Sequence, residues 1–582
     1  MAPLFLGGRH DLGRLIFVLL ASVAGVAWFA HQAISPENKW TRTWAFPIGL
    51  ASLLLVALQL LPLSRDWLTT LSPRIATLLP LWADNGSSSA ALGTWATLSL
   101  APSATSVALA TLIAYVLLFA TTVGRLRSKA DIEHLIRLIG IAGVLMSCFG
   151  LIQYFFSNDR FFWFYEHPYT TTSDAVKGSF TTRNHFAHFL TLAIGPLLAC
   201  CLLVRSQPTS AAKRSTRKSP PTAGTRPQML LILYCGLVVV TLGVLLSLSR
   251  GGAAAFATAV TFAVAAYYRR GLVNGNSLFG LAMLGAIVVG LLSFTGYEQV
   301  SDRLDDFVAG SVEGLDKNEG RRKIWAANLD AIQAGTFFGA GAGSHREIYH
   351  LYLPESLTRE YSHAENGYLQ IATENGWVGI FLLSAALIAI GWWCVTALMR
   401  SSTDYAFLLA VGITASLLAS VVHSVVDFVW FIPSCMSLTI ILAACALRLS
   451  QLEARSHSTA RCSVIWPRPR WIGMTAAAAA VAGWAIATTW GPATAATHHD
   501  KYLIAAKLNR EQSFRRLTAN SDLAEATDDV RANTESAIFH LRNTLAHNPR
   551  SARAHLRLAG KYLNYFHLLQ QSAANSMSAD QI

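Results

Sequence analysis

The sequence predicts an all-α, polytopic membrane protein of about 12 transmembrane helices with one large polar loop and a small helical tail. Three observations predict it. Of 582 residues, 53% are hydrophobic and only 14% charged, and the mean hydropathy is positive, whereas a soluble chain of this size exposes far more charge. Runs of about 20 apolar residues, enough to cross a bilayer core, recur along most of the chain. The runs are continuous rather than alternating, which excludes a transmembrane β-barrel.

The spans fall near 12–33, 42–62, 105–123, 133–156, 186–204, 229–248, 251–267, 277–295, 376–397, 405–425, 431–449 and 471–490. The first reads as an anchor rather than a removable signal, since no convincing cleavage site follows it. Basic loops set the orientation. Those at 124–129, 205–228, 268–270, around Arg400 and at 448–470 agree by helix parity and are expected on the cytoplasmic side. Loops 157–185 and 296–375 and the tail are then outside. The same parity puts the N-terminus outside, against the pull of Arg9 and Arg14. Either one of the first two spans is misplaced or a segment within 63–104 enters the membrane.

The net charge of +13 is explained by these loops, so nucleic acid is a poor partner and the bilayer itself the first one. The eight cysteines are scattered, most of them in or beside apolar runs, with no CxxC and no Cys/His cluster. Neither a zinc site nor a disulfide framework is indicated. The membrane domain is expected over 1–490, with 296–375 as its large loop, and the tail over 491–582. In the tail, an apolar-patterned stretch from Ala537, then Asn548-Pro549, then Ala552 through Tyr562 reads as helix, break, helix. Either a tetratricopeptide-like unit or a plain helical hairpin fits.

Four polar sites interrupt the apolar pattern, all on the outer face. Ser249-Arg250-Gly251-Gly252 joins two spans with almost no loop. An Arg there is costly unless it meets an anion or water, or snorkels to headgroup phosphates. Arg321, Arg322 and Lys323 precede an amphipathic stretch (Ile324, Trp325, Leu329, Ile332). Guanidinium groups pair bidentately with phosphate oxygens, so a diphosphate is a natural ligand, and a solvated basic turn is the plainer alternative. Gly339–Gly343 follows as a flexible turn. His363, Glu365 and Asn366 form the third site. His is the commonest general base, and a carboxylate two residues on can share the role. The fourth is Gly178 through His185, including Asn184, at the mouth of a span. His423 and Asp427, at the outer end of another, are candidates to line the same cavity or to make structural hydrogen bonds.

The order of these motifs resembles the O-antigen ligase/polymerase family of bacterial membrane glycosyltransferases. It runs Gly-x-Phe-x-x-Arg-Asn, Ser-Arg-Gly-Gly, Gly-Arg-x-x-Ile-Trp with a Gly-x-Gly-x-Gly turn, then His-x-x-Asn-x-Tyr-Leu-Gln with Glu374 and Gly376-Trp377-Val378-Gly379. Trp95 through Leu100 fits too, and the resemblance covers roughly 40–450. It implies an undecaprenyl-diphosphate-linked glycan presented at the periplasmic face of the inner membrane. The glycan is passed to an acceptor hydroxyl with inversion, and without nucleotide sugar, cofactor or required metal. Arg250 and Arg321, with Arg322 as a stand-in, would bind the diphosphate; His363, with Glu365, would deprotonate the acceptor. Ser249, Asn184, Asn366, His423 and Asp427 would complete the substrate site. The acceptor is another repeat unit (an O-antigen or exopolysaccharide polymerase), lipid A core (a ligase) or a protein hydroxyl. Polysaccharide-assembly proteins are candidate partners of the tail. A transporter of lipid-linked glycan is the competing class, disfavoured because no paired halves with broken helices are visible.

Overall fold

The computed structural model describes residues 6–35, 39–73, 96–206, 225–275, 320–334, 337–355, 360–457, 463–518 and 525–576. The expected span at 277–295, residues 296–319 of the large loop, most of the 205–228 loop, Trp95 and Cys462 lie outside the described residues. The helices are α1 (Asp11–Ile34), α2 (Ala45–Leu58), α3 (Arg65–Leu71), α4 (Pro102–Arg125), α5 (Lys129–Phe155), α6 (Arg183–Ser206), α7 (Thr225–Leu246) and α8 (Arg250–Arg269). After these come α9 (Gly320–Gln333), α10 (His345–Ile348), α11 (Gly367–Arg400), α12 (Asp404–His423), α13 (Pro433–His457), α14 (Arg468–Thr518), α15 (Glu525–His547) and α16 (Ala552–Ser576). Among the described residues, ten helices are long and apolar enough to cross a membrane: α1, α4 to α8 and α11 to α14. The chain is an all-α, multi-pass membrane protein.

Polar residues set the helix starts. Ser128 and Asp131 close a capping box on α5, and Thr403 caps α12. Within α11, Gly376 has φ 62° and ψ −159°, a conformation open to glycine almost alone, so a short leading segment is bent against the long span behind it.

α2 differs from expectation. It covers 45–58 rather than 42–62, and its 14 residues reach about 21 Å, short of a bilayer core. Both its ends are claimed by other structure. Before it, β1 (Lys39–Thr41) pairs antiparallel with β2 (Ser463–Ile465), Trp40 opposite Val464. Trp40 also stacks on Trp466 at 4.7 Å, within a cluster that holds Trp28, Phe29 and Trp471. After it, Gln59 turns into the loop around Phe338–Ala342, as described below.

The basic loops gather on one face, as parity requires. Lys129 pairs with Glu453, Arg448 Nε donates to the Leu126 carbonyl (2.8 Å), and Arg270 Nη2 to the Ser401 carbonyl (3.4 Å). On the opposite face Arg9 Nη2 donates to Ser362 Oγ (2.8 Å). The start of α1 therefore lies with the large loop, and the parity count prevails over the charges of Arg9 and Arg14.

α6 is the central helix, and nearly all of its apolar stretch is buried. It meets α12 at a pair of glycines: a Cβ on Gly195 would lie 2.0 Å from the Gly412 carbonyl oxygen, and Ser416 Oγ donates to the Leu192 carbonyl (2.8 Å). Small residues let membrane helices approach to backbone contact. Gly195→Val is expected to force these helices apart at a cost of about 1–3 kcal/mol. A melting temperature in detergent equal to wild type would refute this.

α14 runs unbroken through residue 490, from the Trp cluster to beyond the membrane domain. The tail is helix, break, helix as expected: α15 and α16 fold back on the far end of α14, burying Tyr502, Ala505, Ala537, Leu541 and Ala554 together.

Candidate functional site

On the face that carries Ser362, the ends of α6, α8, α11, α12 and α13 converge with segments 337–355 and 360–366. The glycine turn at 339–343 is pinned rather than flexible. The Gly341 N–H donates to the Glu374 carbonyl (2.9 Å) and the Ala342 N–H to Gln59 Oε1 (2.9 Å). Gln59 Nε2 donates to the carbonyls of Phe338 (2.8 Å) and Glu374 (3.0 Å). A Cβ on Gly341 would fall 2.4 Å from Ser99 Oγ, so the stretch before α4 packs directly on the turn. The turn is a structural clasp that fixes where the following loop enters the site.

His363 lies at the centre. Its ring is stacked flat on Phe428, centroids 4.1 Å apart and planes 1° from parallel. His363 Nδ1 is 2.8 Å from Ser362 Oγ, the hydroxyl that accepts from Arg9. The Arg9 guanidinium also sits 5.5 Å over the Phe428 ring. Burial, with Arg9 nearby, pushes the His363 imidazole well below its usual range, so it is neutral at physiological pH. For Nε2 to act as a base, Nδ1 must carry the proton, and Ser362 Oγ must accept from both His363 and Arg9.

Arg321, on α9, pairs with Glu365 (Nη2 to Oε2, 3.0 Å). Its neighbour Arg322 is exposed. Trp325 Nε1 donates to the Ala364 carbonyl (2.9 Å), locking α9 to the His363 loop. The buried face of α9 is Ile324, Ala327, Asn328 and Ala331; Leu329, expected to be inside, is exposed. Glu365 holds φ +54°, a left-handed conformation that costs a non-glycine residue about 1–3 kcal/mol and is common where function fixes the backbone. Burial and the nearby Asp427 raise the Glu365 carboxyl to about 7, against the pull of Arg321.

A second cluster lies on the other side of Phe428. Asn184 Nδ2 donates to Asp427 Oδ2 (2.6 Å), Ser249 Oγ donates to Asn184 Oδ1 (2.8 Å), and His185 Nε2 is 3.2 Å from Asp427 Oδ1. Burial works to raise the Asp427 carboxyl. The His185 contact and the Asn184 hydrogen bond prevail and hold it below the usual range. His423 is buried, with Nδ1 3.1 Å from His188 Nδ1. Its Nε2 faces Gly251, where a Cβ would sit 3.0 Å away. Arg250, half-buried, is the adjacent residue.

The sequence-predicted residues therefore come together. Arg321, Glu365 and His363 form one group, and Ser249, Asn184, Asp427 and His423 another, with Phe428 between them. Asn366 is brought to the same place but serves the fold: its Oδ1 accepts from the Tyr368 and Leu369 N–H groups and its Nδ2 donates to the Val425 carbonyl (2.7 Å). Sequence reasoning missed Arg9, Ser362, His188 and Phe428, and named His185 only as the end of the fourth site. Parity had placed Arg9 outside, the one available signal for it. Among the described residues no cluster of His, Cys, Asp and Glu is arranged to hold a metal ion.

A cavity of ≈ 1880 Å³ opens beside this centre. Among the described residues assigned to catalysis or to the substrate, His363 lines it, and Thr181, Thr182, Gly343 and Glu374 of the motifs line it too. Its polar end holds Arg9, His10, Tyr165, His167 and Ser362, and its deep end runs into an apolar slot between α2, α4 and α11, with Phe46, Val116, Leu383, Ile390 and Trp393. His363 thus stands between the cavity on one side and the Arg321–Glu365 pair on the other.

A multi-pass helical membrane protein with paired cations, a neutral His and a part-polar, part-apolar cavity is suited to a charged amphipathic substrate. Residues 235–384 match the family model described as O-antigen ligase. This segment, from α7 into α11, is similar to that family of membrane proteins, in keeping with the resemblance carried by the motif order. It contains Ser249, Arg250, Arg321, Arg322, His363, Glu365 and Asn366. Asn184, His423, Asp427, Arg9 and the tail lie outside the match. No curated protein matches the chain.

Proposed function

We propose that the protein is a glycosyltransferase that moves an undecaprenyl-diphosphate-linked glycan onto an acceptor hydroxyl at the periplasmic face of a bacterial inner membrane. The observation that carries this reading is the cavity, which is polar beside His363 and apolar where it enters the membrane domain. Such a shape suits a sugar head on a lipid tail. On the far side of His363, Arg321 and Arg250 are assigned to the donor diphosphate. They offset the negative charge that grows on it as the anomeric C–O bond breaks. The acceptor oxygen attacks from the cavity side, opposite the leaving diphosphate, so the anomeric carbon inverts. Its proton passes to His363 Nε2, with the Glu365 carboxylate able to take it onward.

An apolar slot on the acceptor side favours an acceptor that itself has a lipid. Another lipid-linked repeat fits, making the protein a polymerase of O-antigen or exopolysaccharide. Lipid A core is the next fit, and a protein hydroxyl has no need of the slot. The test is reconstitution of the purified protein in proteoliposomes with lipid-linked repeat units. Longer lipid-linked chains and free undecaprenyl diphosphate are expected in step. Absence of released undecaprenyl diphosphate with the wild-type protein would refute the reading.

A further inference from the structure

The tail does not hang free of the membrane domain; it forms part of the cavity wall. Arg553 Nη2 reaches both Glu347 Oε1 (3.2 Å) and Glu360 Oε1 (2.9 Å), and Arg557 Nη2 is 3.7 Å from Glu360 Oε2. Asp500 of α14 meets His10 Nε2 (3.0 Å) and the Tyr165 hydroxyl (2.7 Å). These contacts pin the α14–α16 unit across the mouth.

The wall so formed is unbalanced in charge. Arg346, Arg510, Arg550, Arg553 and Arg557 line the cavity, whose carboxylates are Asp11, Glu347, Glu360, Glu374 and Asp500. Glu347 and Glu360 are engaged by Arg553 and Arg557, Asp11 by Arg14, and Asp500 by His10 and Tyr165. Among the described residues, no carboxylate lies within 4 Å of Arg346, Arg510 or Arg550. Arg346 is half-buried, and burial with Arg553 beside it lowers its guanidinium to about 10. Holding cations together in a partly desolvated wall is unfavourable unless an anion enters among them. Planar guanidinium forks are matched to carboxylates.

We propose that this arginine wall is a binding subsite for a carboxylate-bearing, acidic stretch of the acceptor glycan as it leaves the mouth of the cavity. The tail would then help to select the glycan. The subsite rests on the glycan-transfer reading for the identity of its ligand. It is separate from the groups assigned to the donor diphosphate, which lie beyond His363. Arg510 and Arg550 are exposed at the mouth, away from the apolar slot, which favours sugar acids over the phosphates of a lipid carrier.

The test is equilibrium binding to the full-length protein in lipid nanodiscs, with an oligogalacturonate and a neutral maltodextrin of equal length as probes. Because no turnover is needed, its failure is distinguishable from failure of the transfer reading. The acidic probe is expected to bind roughly tenfold or more tightly than the neutral one at low salt, and the preference to shrink as salt screens it. His363→Ala is expected to keep the preference. The double variant Arg346→Gln/Arg550→Gln, which breaks no ion pair of the tail, is expected to lose it. Glu360→Gln removes the carboxylate shared by Arg553 and Arg557, leaving Arg553 its pair with Glu347, and is expected to tighten acidic binding. Equal binding of the two probes, an unaffected double variant, or weaker binding in Glu360→Gln would each overturn the proposal. So would displacement of the acidic probe by inorganic pyrophosphate, which would assign the wall to a diphosphate.

Discussion

Cells carrying His363→Ala are expected to lose glycan transfer by about 10²–10⁴-fold, the usual contribution of a positioned acid–base group. Among the described residues assigned to catalysis or to the diphosphate, the imidazole is the one in the cavity wall, and burial keeps it neutral, so that a ring nitrogen has a lone pair to offer. The ring is held by the face of Phe428 and by Ser362, so its position does not depend on the substrate. Mass spectrometry of the lipid-linked glycans then reads the function directly. Single repeat units accumulating in the variant would mean that the missing step is polymerisation. Long chains accumulating would mean ligation. An unchanged profile would remove His363 from the mechanism.

Arg321→Ala is expected to reduce transfer by about 10²–10³-fold, the cost of removing one preplaced stabiliser of developing charge. Arg321→Lys should recover only part, since it keeps the charge but loses the guanidinium fork. The pH profile gives a second readout. With the Glu365 carboxyl near 7 and His363 well below its usual range, the rate should rise with pH through about 7 as Glu365 becomes a carboxylate. Glu365→Gln should flatten that limb. Arg321 lowers the Glu365 carboxyl, so its removal raises that group further, and the limb in Arg321→Ala should move to higher pH. A profile in Arg321→Ala that keeps its wild-type midpoint would mean that the ion pair in the structure has no bearing on catalysis.

Much of this was legible in the sequence because bilayer spans depend on local apolarity alone. Helix parity put Arg9 on the face of the large loop against the pull of its charge, a conflict that the sequence left open, and its bond to Ser362 lies on that face. The length of α2 was not legible, since it is cut short by a strand partner near residue 464 and by Gln59 bonding to a turn near 340. In the site, residue types and motif order pointed to Arg321, His363 and Asp427, but their convergence depends on loops that no periodicity describes. Arg321 could be preferred to Arg322 from its spacing to Trp325, and the Ala364 carbonyl that Trp325 binds supplies the reason. Asn366 was read as part of the substrate site. An Asn directly before a helix is also the standard sign of an N-cap, and the structure uses it as the cap of α11. Phe428 carries no chemistry of its own and gave no signal, yet it is the surface on which His363 rests.

The bond between His10 and Asp500 joins residues 490 positions apart. A ribosome adding about 5–20 residues per second needs roughly 25–100 s to make the second partner after the first. The arginines of α16 emerge later still. His10 must therefore wait for Asp500, and the mouth that both share with Arg553 and Arg557 is walled only after α16 has been made.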